Sequence, residues 1–185
     1  MSFAYTPAEF ADPPRDMPPT VASEPVTPYF SGWTTDPKLP INLVLGLGYE
    51  FERAAGAVEL LEPERLWTFI PSGEDQRYDD ALSETNAELL KQLAPDQVVR
   101  YVVDDPAEVI RTLDGVIYAY RNTARTILLP FGPKLFALSC MLTGVNHLKA
   151  TTIWRVSGGQ AERPEDKTSG GKIVWLHTIF GADLG

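Results

Sequence analysis

Short apolar runs alternate with longer amphipathic segments from residue 41 to residue 156. Ile41–Leu47 is a continuous apolar run with the length of a buried strand, and the apolar spacing of Phe51–Leu61 is that of a helix. Further strands are predicted at Leu66–Ile70, Val98–Val103, Thr126–Phe131 and Thr152–Val156, and further helices at Asp79–Leu93, Pro106–Tyr120 and Pro133–Leu148. This order predicts a mostly parallel, doubly wound sheet with helices on both faces.

The last part of the chain breaks this alternation. Ser157–Gly171 is too polar and glycine-rich for a helix, and Lys172–Phe180 follows it as a last predicted strand. We expect a long hairpin that adds an antiparallel strand at one edge of the sheet. The predicted fold class is therefore α/β and Rossmann-like, with about six strands and a C-terminal antiparallel hairpin, in a domain that spans residues 41–185.

The first 40 residues have a different composition. Nine of the 16 prolines lie there, and proline can continue neither a helix nor a central strand. Disordered linkers are poor in aromatic residues, yet this segment carries six of them: Phe3, Tyr5, Phe10, Tyr29, Phe30 and Trp33. We predict an N-terminal arm over residues 1–40 that is extended and partly pinned to its own domain or to a neighbouring subunit.

Charge and composition exclude several classes of function. The formal net charge is −9 and no basic stripe is present, which argues against binding to duplex nucleic acid. No apolar stretch has the length of a membrane span and no secretory signal opens the chain. The single cysteine, Cys140, lies in an apolar run, where a buried and inert thiol is expected. We expect a cytoplasmic protein that can still hold a small anion locally.

Glycine and polar residues follow each predicted strand of the sheet. In doubly wound sheets, ligands bind beyond the carboxyl ends of the strands, so a pocket is expected where these loops meet. The candidate ligand-binding residues are Gly46, Gly48, Tyr49, Glu50, Ser72, Gly73, Asp75, Asp104, Gly132, Lys134, Arg155 and Ser157.

The turn from Gly46 to Glu50 resembles the start of a dinucleotide-binding fingerprint, but the third glycine of that motif is absent. The charge of Glu50 would repel a pyrophosphate. Binding of NAD or FAD is therefore not expected, and a tight strand-to-helix turn explains the two glycines equally well.

The segment Gly132-Pro133-Lys134 places a lysine in the first turn of a predicted helix. The helix dipole disfavours a cation there by about 0.3–1 kcal/mol. Free amides, the dipole and an ammonium group together suit a phosphate or carboxylate. The alternative is a solvated lysine that binds nothing.

Catalytic machinery is not evident in the sequence. The only histidines, His147 and His177, stand in an apolar helix and in the last strand, and no nucleophile elbow or zinc-binding motif is present. Glu74, Asp75 and Asp104 supply carboxylates at the strand ends, but no spacing demands a divalent ion. Catalytic residues remain unassigned, and neither a cofactor nor a metal is predicted.

The order of elements, the lysine that opens the helix after strand four and the hairpin after strand five resemble CRISPR-associated Rossmann-fold (CARF) sensor domains of bacterial defence, over roughly residues 41–180. Several of those domains carry Gly-Gly-Thr-Lys where this chain has Gly132-Pro133-Lys134, without the threonine. The resemblance implies a homodimer whose paired pockets bind a cyclic nucleotide messenger, lined by Lys134 and the loops 46–50 and 72–75. Since we expect no effector domain after Phe180, it also implies either a separate partner or a nuclease that acts on the messenger itself.

Three functions follow from these patterns. The leading hypothesis is a sensor that binds an anionic, nucleotide-like small molecule and signals through dimerisation. The second is an enzyme of nucleotide or phosphosugar metabolism, or a nuclease, that uses Glu50, Asp75, Asp104 or Lys134. The third is an interaction or scaffold subunit whose proline-rich arm docks a partner protein.

Overall fold

A computed structural model describes residues 1–14, 20, 22–31, 36–157 and 167–181 of the chain. The strands within these ranges are β1 (Ser2–Tyr5), β2 (Ala22–Pro25), β3 (Ile41–Gly46), β4 (Arg65–Ser72), β5 (Val98–Val102), β6 (Arg125–Pro130), β7 (Thr151–Ser157) and β8 (Val174–His177). The helices are α1 (Phe51–Leu61), α2 (Gln76–Thr85), α3 (Ala87–Leu90), α4 (Pro106–Tyr120) and α5 (Lys134–Asn146). Trp33 and residues 158–166 of the predicted polar loop lie outside the described residues.

The main sheet has six strands in the order β2-β7-β6-β3-β4-β5. Strands β3 to β7 pair with one another in parallel, and β2 pairs antiparallel with β7. This arrangement confirms the predicted Rossmann-like α/β class. The chain order reverses between β3 and β6, so these two neighbouring strands form the topological switch point of the sheet.

Two layers of core cover the sheet because side chains alternate along each buried strand. Leu43 and Leu45 of β3 pack towards α1, α2 and α3, and the intervening Val44 packs towards α4 and α5. All three side chains are fully buried. The loops after β3 and β6 therefore lead to helices on opposite faces of the sheet.

The N-terminal arm is extended and lies against its own chain. β1 pairs with β8 in a separate two-stranded antiparallel sheet, and β2 forms the outer strand beside β7. The last strand is antiparallel, as predicted, but the prediction that it returns beside β7 is wrong. That edge is taken by β2, while Phe3 and Tyr5 of β1 lie opposite Leu176 and Val174 and bury an apolar inner face.

The predicted helix Asp79–Leu93 is also wrong in its extent. It begins earlier, at Gln76, because Asp75 caps it by accepting a hydrogen bond from the Arg77 amide, and it is interrupted at the fully buried Asn86. By contrast, α1 and α4 have the predicted bounds, and Asp105 caps α4 by accepting a hydrogen bond from the Glu108 amide.

The sequence predicted that the helix after β6 begins at Pro133, and this prediction is wrong. Pro133 is the N-cap, with extended backbone, and the helix α5 starts at Lys134.

Within the described part of the chain, no helix combines the length and the apolarity that crossing a bilayer requires.

Candidate functional site

The switch point brings four of the predicted residues together. Gly46 ends β3 and Gly48 follows it, while Gly132 and Lys134 follow β6, and the ladder between these strands runs to the pair Gly46–Pro130. Since the two loops leave for opposite faces, their turns meet at the carboxyl edge of the sheet. This is the position at which doubly wound folds place their ligands.

The two glycine turns are in backbone contact with each other. A Cβ atom on Gly132 would lie 2.2 Å from the carbonyl oxygen of Leu47, and a Cβ on Gly48 would lie 2.6 Å from the Cα of Gly132. Gly132 also has φ of +80°, in the left-handed region that favours glycine. Close packing thus requires both glycines, and the two turns form a continuous floor with no slot between them.

A second contact explains Gly46. A Cβ on this residue would lie 2.4 Å from the ring of Phe136, which is buried in the core under α5. The glycine lets the first turn of α5 approach β3, which sets the position of Lys134 relative to the glycine turns.

Lys134 is exposed, and it forms no ion pair or hydrogen bond with any residue that the structure describes. The N-cap of its helix is Pro133, which has no side-chain acceptor for the first amides. Phe136 donates its amide to the carbonyl of Pro133. An ammonium group and an uncapped helix start therefore lie side by side above the glycine floor.

A buried asparagine that sequence analysis did not single out supports that floor. The side-chain amide of Asn86 donates to the carbonyls of Gly48 and Leu82, each at 2.9 Å. Asn86 is four residues after Leu82, on the apolar side of the predicted helix, and a polar residue at such a position is the signal that could have identified it.

Tyr49, the next predicted residue, faces Tyr78 with ring centroids 5.7 Å apart. Burial raises the pKa of both hydroxyls, and the carboxylates of Asp12 and Asp75 raise that of Tyr49 further. Asp12 belongs to the N-terminal arm, so the arm reaches this part of the edge. Glu50 folds back towards Gly48, since a Cβ on Gly48 would lie 2.1 Å from its Oε2.

The carboxylate of Asp75, at the end of β4, is held by Arg77. The guanidinium Nη2 lies 2.6 Å from Asp75 Oδ2, and this hydrogen bond keeps the pKa of Asp75 below its usual value. The same guanidinium stacks on Phe10 of the arm, 4.8 Å from the ring centroid. The predicted residues Ser72 and Gly73 also have partners within the chain. The amide of Gly73 donates to the carboxylate of Asp79, and the carbonyl of Ser72 accepts from the amide of Val103.

Asp104, at the end of β5, shares a lysine with Glu74. Lys172 Nζ lies 2.7 Å from Glu74 Oε1 and also donates to Asp104 Oδ2. Its hydrogen bond lowers the pKa of Asp104, and the two carboxylates raise the pKa of Lys172. Lys172 lies just before β8, so the C-terminal segment of the chain supplies the cation that pairs with these two carboxylates.

The remaining predicted residues, Arg155 and Ser157, lie on β7 beside the arm. Arg155 Nη2 is 2.7 Å from Oε1 of Glu24, its cross-strand partner in β2, and Ser157 lies opposite Ala22. Four strand spacings separate β7 from β5, about 19 Å, so the twelve predicted residues cannot all touch one small ligand.

Neither histidine reaches this edge. His147 caps the far end of α5 and contacts Asp114, and His177 of β8 contacts Ser2. Cys140 is fully buried, and burial raises the pKa of its thiol, as expected for an inert cysteine. In the described ranges, no three histidine, cysteine or acidic side chains are grouped closely enough to hold a metal ion.

The opposite edge of the sheet has a cleft of about 260 Å³ that sequence analysis did not anticipate. It lies at the amino ends of β3, β4 and β6 and is lined by Pro40, Ile41, Glu64, Arg65, Tyr120, Thr123 and Ala124. The guanidinium of Arg65 stacks on Tyr120 there.

No protein-family model, no curated protein and no solved structure matches this chain. The residues and their geometry therefore carry the functional argument.

Proposed function

We propose that this chain is a ligand-sensing module that binds an anionic, nucleotide-like small molecule at the β3–β6 switch point, in a bacterial defence or signalling system. One observation carries the proposal. Lys134 has no partner among the described residues, whereas Lys172, Arg77 and Arg155 are each held by a carboxylate of the same chain.

The anionic group lies at the start of α5, beside Gly132 and not over Gly48, towards which the carboxylate of Glu50 folds back. Lys134 Nζ and the first amides of the helix donate to it, and the helix dipole adds to its stabilisation. Because Gly48 and Gly132 are in contact, the ligand rests outside the two turns and does not enter the sheet. A shallow site of this kind suits a phosphate group that projects from a larger molecule.

The nucleotide character of the ligand has separate support. Tyr49 follows the glycine turn and presents a half-buried ring, on which a base can stack. The resemblance to the sensor domains of bacterial defence points to the same ligand class and to a homodimer. Both remain parts of this proposal.

The structure gives less support to the two alternatives. An enzyme that uses Asp75 or Asp104 as a general acid would need a raised pKa, and hydrogen bonds from Arg77 and Lys172 lower the pKa of both groups. A scaffold that docks through its arm would need a free arm, and β1 and β2 are paired within the chain.

Substitution of Lys134 tests the proposal. Binding of inorganic phosphate and of a panel of cyclic and linear nucleotides is measured by calorimetry for the wild type, Lys134→Ala and Lys149→Ala. Lys149 is an exposed lysine beyond the opposite end of α5, so it matches the change in net charge. We expect Lys134→Ala to weaken binding about tenfold or more, as for the loss of a charge-assisted hydrogen bond, and Lys149→Ala to leave it unchanged.

Two results would contradict the proposal. Equal affinities for the wild type and Lys134→Ala would remove Lys134 from the site. An absence of binding of every nucleotide by the wild type would reject the ligand class.

A further inference from the structure

The two-stranded sheet of β1 and β8 has an apolar outer face. Ile173, Trp175 and Ile179 are 56%, 71% and 82% exposed. They alternate with Val174 and Leu176, which are buried on the inner face, as expected along an extended strand. The outer face is thus a row of large apolar side chains in solvent.

This outer face also lacks carboxylates. Residues 173–180 and β1 contain no aspartate or glutamate, although the whole chain carries a net charge of −9. His177 stands between Trp175 and Ile179, and the Met1 ammonium donates to the carbonyl of Thr178 at the end of the face. Two copies of such an acidic protein repel each other across most of their surfaces. A strip without carboxylates is where two copies can approach without bringing negative charges together.

The shape of the face is self-complementary. Trp175 lies opposite Ala4 and His177 lies opposite Ser2, so a ridge of large side chains on β8 stands beside a lower strip of small side chains on β1. In a twofold arrangement, the same patch meets itself and the ridge of each copy faces the lower strip of the other.

The exposed side chains are large enough to form the apolar centre of a dimer contact. Ile173, Trp175 and Ile179 are each more than half exposed, and a stable interface has such an apolar core within the roughly 800 Å² that it buries on each partner. Leu60 and Tyr118 are also exposed, but they lie on two different helices, α1 and α4, and do not form a row. Tyr118 is in addition covered by the guanidinium of Arg121.

We propose that the outer face of the β1–β8 sheet binds the same face of a second copy of this chain, with Trp175 at its centre. This inference rests on the homodimer of the proposed function and names the surface through which the two copies bind. It does not depend on any ligand. It places the contact on the strands adjacent to Lys172, which holds Glu74 and Asp104.

The experiment measures molar mass by light scattering, without nucleotide, at about 1–100 µM protein. Trp175→Glu and Ile179→Glu introduce a charge that would be buried twice at a twofold contact. Leu60→Glu is the control, since it makes the same change at a side chain that is 68% exposed on α1. Circular dichroism verifies that each variant is folded.

We expect a dimeric wild type, a dimeric Leu60→Glu and a monomeric state for Trp175→Glu and Ile179→Glu, with dimer dissociation constants raised about a hundredfold or more. A dimeric wild type whose mass is unaffected by these two variants would overturn the assignment of this surface and leave the homodimer standing. A monomeric wild type would overturn both. Neither result changes the nucleotide-binding test of Lys134, so the two proposals fail separately.

Discussion

The two halves of the carboxyl edge of the sheet have opposite electrostatic character. At the β4–β5 end, Lys172 and Arg77 form ion pairs with the carboxylates of Glu74, Asp104 and Asp75. At the β3–β6 end, Lys134 carries a charge that no described residue neutralises. The composition of the loops suggested one polar edge. Ion pairing divides it into a closed half at β4–β5, where the carboxylates have cationic partners, and an open half at β3–β6, where Lys134 has no anionic partner among the described residues.

The segments beside β1 and β8 contribute to this difference. Phe10 and Asp12 of the arm lie near Arg77 in the first turn of α2, and Lys172 reaches the loops after β4 and β5. The terminal segments of the chain therefore cover part of the closed half. The lesson is that a carboxylate at the right end of a strand is a candidate for chemistry only when no internal cation reaches it.

The largest expected effect concerns the floor of the open half. Gly132→Ala places a Cβ 2.2 Å from the carbonyl oxygen of Leu47 at φ of +80°, so the backbone of one turn must move. We expect a loss of about 2–4 kcal/mol in the free energy of unfolding, measured by urea denaturation.

Gly171→Ala is the matched control for this substitution. Its φ is +77°, but nothing lies within 4 Å of the added Cβ, so only the backbone conformation should matter, at about 1 kcal/mol. Equal losses at the two positions would show that the contact between the glycine turns is not tight, and the floor would then be open to a ligand.

An intermediate effect is expected for the residue that supports the floor from below. Asn86→Ala removes the donor to the carbonyls of Gly48 and Leu82 in a fully buried position. We expect a loss of about 1–3 kcal/mol in stability, together with weaker ligand binding at the neighbouring Lys134 because Gly48 is no longer held. The exposed Asn122 provides the control, and an Asn122→Ala variant of equal instability would contradict this role.

The smallest effect concerns the closed half. Lys172→Ala leaves Glu74 and Asp104 without their shared cation, but exposed ion pairs contribute little, so the change in stability at neutral pH should be small and should shrink further in high salt. The expected signature is the pH dependence.

The pKa of Asp104 is lowered in the folded state, so its contribution is present above its unfolded pKa, near about 4, and is lost as the pH falls through the folded value. Wild type should therefore lose stability more steeply than Lys172→Ala in acid, as measured by thermal unfolding between about pH 2 and 6. Parallel curves for the two proteins would mean that Lys172 does not hold Asp104 in solution.

The sequence predicted the parts of the fold that depend on local patterning. Apolar runs defined the five parallel strands, and Asp105 before Pro106 defined the start of α4, because burial and capping are properties of neighbouring residues. The pairing of β8 with β1 joins Val174 to Tyr5, and no periodicity specifies a contact between residues so far apart in the chain.

The site was predictable to the same degree. The strand order placed the loops after β3 and β6 at one edge, and the turn that opens α5 placed Lys134 there. The sequence could not predict the contacts that close the other half, because Lys172 meets Glu74 and Asp104 only after the chain has folded over the edge. Polar residues at strand ends indicate where an edge is, and tertiary pairing decides which of them remain available.

The most direct test of the central claim is a two-dimensional NMR titration of the labelled protein with the tightest-binding nucleotide of the panel. We predict amide shifts at Gly48, Gly132, Lys134 and Leu135 of the open half, with Glu74, Asp75 and Asp104 of the closed half unaffected, and loss of these shifts in Lys134→Ala. Shifts confined to the closed half, or an identical response in the Lys134→Ala protein, would contradict the account.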